Sequence, residues 1–198
     1  MPSRSGTVFL LTAVLAASAC DRQSPASEQA KVAAPDEVTN DEVTPGTGAP
    51  AAASGVDRSH RGEAAPAIAF LDAAGKKVRL ADFRGKPVLL NLWATWCAPC
   101  VKEMPSLNAL AEAAGDAIHV LAVSQDMQRE KVAPFFAERK LTHLSPYADP
   151  ELGLSLAYKA NLPTTIMLDA SGRELWRVSG AMDWTGEKAT ALIAEAAG

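Results

Sequence analysis

Cys97 and Cys100 stand in Trp96-Cys97-Ala98-Pro99-Cys100 and form the one close pair among the three cysteines of this chain. Two thiols at that spacing can serve as half a zinc site, as a structural staple, or as a reversible dithiol–disulfide couple. Zinc needs further thiolate or imidazole ligands. Here Cys20 is remote, and His60, His119 and His143 supply no second ligand pair, so no metal is expected. A staple closing so short a loop removes little entropy from the unfolded chain. The redox couple fits its setting. An apolar run over 88–93 precedes it, and a helical pattern over 101–114 follows. Cys97 therefore falls at a helix N-terminus, where unpaired N–H groups and the positive end of the dipole stabilise a thiolate. Cys97 is expected to attack a disulfide and Cys100, one turn on, to resolve the mixed disulfide. Pro99 suits an early helix position, since its missing N–H would have no partner there.

The elements that must hold this pair are legible in outline. The run over 88–93 reads as a strand buried on both faces. In the helix over 101–114, Met104, Leu107 and Leu110 recur at spacings of three, with Pro105 among them. Further strands are predicted over 118–123, 164–168 and 173–179, and further helices over 129–139, 152–158 and 187–197. Residues 67–71 and 77–80 flank Asp72-Ala73-Ala74-Gly75 and read as an N-terminal β-hairpin. This order implies an α/β fold, a central mixed sheet flanked by helices, with the hairpin as an extension.

Composition divides the 198 residues into three zones. Residues 1–20 carry Arg4, an apolar run from Val8 to Ala17, then small residues, the layout of an export signal. Residues 21–62 contain no Leu, Ile, Met, Phe, Tyr or Trp. They cannot bury enough apolar surface to offset their ordering entropy and read as a disordered Ala/Pro/Gly/Ser/Thr-rich tether. Its r.m.s. reach as a flexible chain is roughly 35 Å. Residues 63–198 hold every Trp and Tyr and form the single globular domain. With 19 basic and 23 acidic residues and a net charge of −4, the chain is not a dedicated nucleic-acid binder.

Leu92-Trp93-Ala94-Thr95-Trp96-Cys97-Ala98-Pro99-Cys100, followed by Glu103-Met104-Pro105, resembles the thioredoxin fold, specifically the TlpA/ResA-like thiol–disulfide oxidoreductases. Asn161-Leu162-Pro163-Thr164-Thr165 resembles that family's cis-proline loop. The resemblance spans about 67–196. It implies a cis Pro163 facing the cysteines and Leu162 backbone groups able to pair with an extended substrate. It also implies that Trp96 packs beside the site and that Glu103 moves the proton of the buried cysteine. Thioredoxins carry a buried Asp where this chain has Asn91, which cannot titrate, so Glu103 is the nearby acid. Ala17-Ser18-Ala19-Cys20 resembles a lipoprotein signal with Cys20 as the lipidated residue. Plain cleavage after Ala19 and retention as an anchor are the alternatives.

Together these readings imply a membrane-tethered enzyme on the periplasmic side of the bacterial cell envelope, with no cofactor beyond its own dithiol. Its partners would be disulfide-bearing client proteins, either apocytochrome c or copper-site assembly proteins. Because the chain has no second redox centre, a membrane thiol-reducing partner of the DsbD/CcdA type would recharge it. The absence of His between the cysteines leans towards a reductase. A thiol oxidase or isomerase of the same fold, and a copper-carrying assembly protein, are the competing readings.

Overall fold

The computed structural model describes residues 55–196. The expected export signal, Cys20 and the expected tether up to residue 54 lie outside the described residues. One mixed sheet runs through the domain in the order β1-β8-β7-β4-β5-β6-β2-β3. Its strands are β1 Val56–Asp57, β2 Ala69–Leu71, β3 Lys77–Arg79, β4 Val88–Trp93, β5 His119–Ser124, β6 Tyr147–Ala148, β7 Thr164–Leu168 and β8 Glu174–Ser179. The helices are α1 Ala98–Ala114, α2 Val132–Glu138, α3 Gly153–Tyr158 and α4 Glu187–Ala194.

The near-continuous apolar run of β4, interrupted only by Asn91, has the reason the sequence suggested: all six of its residues are buried, because both faces are covered. Alternation along the strand sorts them. Leu89 and Trp93 join Met104 and Leu107 of α1, Val132 and Phe136 of α2, and Ala189 and Leu192 of α4. Val88, Leu90 and Leu92 join Leu154 and Tyr158 of α3, with Phe70 and Leu80, on the other side. The Trp93 ring lies 5.0 Å from that of Phe135 and 5.6 Å from that of Phe136. Each such large side chain taken from water contributes about 1.5–3 kcal/mol, so the two half-cores together hold the sheet between the helices.

Strand direction decides where chemistry can gather. β5 runs parallel to β4, and Trp93 lies opposite Ser124. β7 is antiparallel to β4, with Leu92 opposite Thr164, and β8 is antiparallel to β7, with Thr164 opposite Ser179. One end of the sheet therefore collects the exits of β4, β5 and β8 and the entry of β7.

Two expectations are corrected. Residues 55–62, assigned by composition to the tether, belong to the folded unit. Val56 and Asp57 pair with Val178 and Arg177, and the Gly62 N–H donates to the Glu174 carbonyl at 2.7 Å. An edge strand needs main-chain groups more than large side chains, so composition does not reveal it. The segment expected as one helix over 129–139 is a 3-10 turn, Arg129–Lys131, followed by α2; Pro134 lies in the first turn of α2, where its missing N–H costs nothing. The expected hairpin β2–β3 forms, and through β6, a strand too short to be seen in the sequence, it extends the edge of the central sheet.

Candidate active site

Cys97 and Cys100 form a disulfide with a Cα–Cα distance of 5.2 Å. Cys97 is the N-cap of α1, with extended backbone, and its Sγ accepts the Cys100 N–H at 3.3 Å. That contact is the local basis for a stabilised thiolate, because the first N–H groups of a helix have no partner within it. The two sulfurs differ in access. Cys97 retains 6% exposure while Cys100 has none, so an external disulfide meets Cys97 first. Pro99 and Ala98 occupy the first turn of the helix, as the spacing predicted.

Beside the pair a groove of about 900 Å³ runs between α1 and the loops that enter β7 and leave β8. Pro99, Leu162, Pro163 and Met182 give it an apolar lining, with Glu103 in its wall. The Leu162–Pro163 peptide is cis. Trp96, expected to pack beside the site, is instead 70% exposed. Its neighbour Cys97 turns into the protein at the helix cap, and the indole is left on the surface.

Glu103 lies one turn beyond Cys100 on α1 and is 3% exposed. Its Oε1 accepts from Asn91 Nδ2 at 2.8 Å and its Oε2 from the Met182 N–H at 3.0 Å. Asn91 Nδ2 also donates to Thr165 Oγ1 at 2.9 Å. Burial pushes the Glu103 carboxyl above its ordinary range, and the hydrogen bonds from Met182 and Asn91 oppose that push without cancelling it. A carboxyl held in this way keeps its proton to higher pH than an exposed one and is placed to take up and return a proton.

Sequence reasoning missed the segment after β8. Met182 acts through a backbone N–H, which no side-chain pattern reports. Ser106 is a second fastening that was missed: its Oγ donates to the Glu103 carbonyl at 2.8 Å and accepts the Trp184 N–H at 3.2 Å. Gly180, at φ 92°, makes the turn that brings this segment back to α1.

Comparison with known proteins agrees with this geometry. The Redoxin family model matches residues 60–193. The thiol-disulfide oxidoreductase ResA of Geobacillus thermodenitrificans is 36% identical over 123 residues, covering 61% of this chain and 70% of ResA. Among solved structures, a DsbE-type thiol:disulfide interchange protein of Chlorobium tepidum superposes with a TM-score of 0.62 at 27% identity, over 70% of this chain and 98% of that one. The exposed lipoprotein thioredoxin Etrx1 of Streptococcus pneumoniae superposes with a TM-score of 0.54 at 27% identity, over 64% of this chain and 96% of that one. With its thioredoxin-like sheet and a cysteine pair capping α1, this chain belongs to the Redoxin family and is a thiol–disulfide oxidoreductase of the ResA type.

Proposed function

We propose that this protein is a membrane-tethered reductase of client disulfides on the periplasmic side of the bacterial envelope. The observation that carries the reading is the asymmetry of the pair: an accessible Cys97 at a helix N-terminus, a buried Cys100 behind it, and a buried acid one turn on. The Cys97 thiolate attacks one sulfur of a client disulfide; the S–S bond breaks, and the other client sulfur leaves as a thiolate. Glu103 accepts the Cys100 proton. The Cys100 thiolate then attacks Cys97 Sγ, releases the second client sulfur, and closes the Cys97–Cys100 disulfide. Two electrons have passed to the client, and a membrane thiol-reducing partner of the DsbD/CcdA type returns them. Trp96, Leu162 and Pro163 border the path of the client chain.

The reductase direction is supported by Ala98-Pro99, which places no imidazolium between the cysteines to overstabilise the reduced state. Tethering through lipidated Cys20 is supported by the signal-like residues 1–20 and by the naming of the pneumococcal relative as an exposed lipoprotein. Among the described residues no helix is long and apolar enough to cross a membrane. The described domain begins at Gly55 beside β1, and Val56 lies opposite Val178 at the end of the sheet that carries the cysteines. The clients of this reading are the haem-binding cysteines of apocytochrome c or the copper-site cysteines of oxidase assembly proteins.

Cys100→Ser expressed in the native host tests it. Mixed disulfides on Cys97 are expected to accumulate, and mass spectrometry of the captured peptides names the clients. Equilibration of the wild type with glutathione fixes the direction: a reduction potential near that of DsbA, about −120 mV, overturns the reductase reading, and one near thioredoxin, about −270 mV, supports it.

A further inference from the structure

We infer that Asp126 is a positioning residue for Cys97. The inference rests on the reading of Cys97 as the attacking thiol and adds the device that holds it in place. Asp126 follows β5 at the end of the sheet where the site gathers, and it is 3% exposed. Its Oδ2 accepts the Thr95 N–H at 2.9 Å, and its Oδ1 accepts from Thr95 Oγ1 at 2.7 Å. Ser124 Oγ donates to Oδ2 at 2.6 Å and in turn accepts the Asp126 N–H at 3.0 Å. Every group around the carboxylate is a donor, which suits an acceptor-only side chain.

The effect is a clamp on the turn that delivers the nucleophile. The Gln125 N–H donates to the Trp93 carbonyl at 2.7 Å, the Cys97 N–H donates to the Ala94 carbonyl at 3.2 Å, and between these two bonds Thr95 is held twice by one carboxylate. With both ends fixed, Cys97 is delivered to the N-cap, where its sulfur meets the Cys100 N–H. Loosening the turn would draw the sulfur away from that N–H and weaken the stabilisation of its thiolate. Asp126 brings a charged group to this turn from the end of β5, while Lys102 and Glu103 of α1 and Asp183 after β8 line the groove on the far side of Pro99. The loop entering β7, Asn161 to Thr164, contributes none.

Alkylation of Cys97 in the reduced full-length chain, followed against pH by mass spectrometry, separates the possibilities. Asp126→Ala is expected to raise the apparent Cys97 pKa by about 1 and to slow alkylation near neutral pH roughly 10-fold. Asp126→Asn keeps an oxygen for the Thr95 N–H, its amide can donate to a rotated Thr95 hydroxyl, and it removes a like charge, so its Cys97 pKa is expected at or below that of the wild type. Thr95→Val loses one of the two bonds, spares the buried carboxylate site, and is expected to fall between; it serves if Asp126→Ala does not fold. A wild-type Cys97 pKa in both Asp126→Ala and Thr95→Val overturns the inference, as does an equal rise in Asp126→Asn and Asp126→Ala. A wild type whose Cys97 is not alkylated ahead of Cys100 overturns instead the assignment of the attacking thiol.

Discussion

Glu103 Oε2 accepts the backbone N–H of Met182 at 3.0 Å, so a side chain one turn from the buried cysteine fastens the far wall of the groove. Asn91 holds the other oxygen. Proton chemistry at Glu103 and the shape of the groove therefore share one group.

The raised Glu103 pKa makes stability depend on pH in a defined sense. Unfolded, the carboxyl titrates near its ordinary 4.5; folded, it titrates higher because it is buried. Between the two values the folded protein keeps a proton that the unfolded chain has released. Stability falls as pH rises from about 4.5 through the folded value, and the loss persists above it. Glu103→Gln lacks this titration. Urea unfolding of the two proteins across pH 4 to 8 is expected to show the wild type losing ground to the variant as pH rises. A difference that stays constant across the range contradicts the assignment.

Asn91 bridges Glu103 and Thr165 from inside the sheet. Asn91→Ala leaves both buried acceptors without that donor, at a cost of about 2 kcal/mol in denaturant unfolding. Asn91→Asp places a second carboxyl against the first. Two such groups cannot both ionise cheaply, so the stability of this variant is expected to fall much more steeply above pH 5 than that of the wild type.

Trp96 contributes little to the core, given its 70% exposure. Trp96→Ala is expected to leave the melting temperature within about 1–2 °C of the wild type. In the reading proposed above, it raises KM for protein disulfides several-fold and leaves exchange with a small disulfide such as oxidised glutathione near wild type. Equal effects on both substrates would show a role in the chemistry itself.

Glu174 and Arg177 form a bidentate pair at 2.6 and 2.7 Å, with Glu174 2% exposed. Arg177 Nη1 also donates to the Tyr158 carbonyl at 3.1 Å. Glu174→Ala strands the guanidinium, and a loss of about 3 kcal/mol is expected, read as a melting-temperature drop of roughly 10 °C. Glu174 begins β8 and the site lies at its other end, about 17 Å along the strand. Cys97 alkylation in the folded variant is therefore expected to match the wild type.

The chemistry and most of the core were written in local pattern. The Cys97–Cys100 spacing, the apolar run of β4 and the periodicity of α1 each act over a few residues, and steric and hydrophobic rules of that range suffice to read them. Glu103 was reachable as well, because a helix places residues three apart on one face. The tertiary structure decided what depended on distant chain. Thr165 meets Asn91 because β4 and β7 are neighbours, Asn91 meets Glu103 because α1 packs on β4, the Met182 N–H arrives because the chain doubles back after β8, and Asp126 reaches Thr95 because β5 lies parallel to β4. β1 was hidden for the same reason: its place is set by main-chain pairing with β8, and main-chain groups are the same whatever the side chain. The sequence by itself determined which atoms exchange electrons; the order and direction of the strands decided which groups hold those atoms in place.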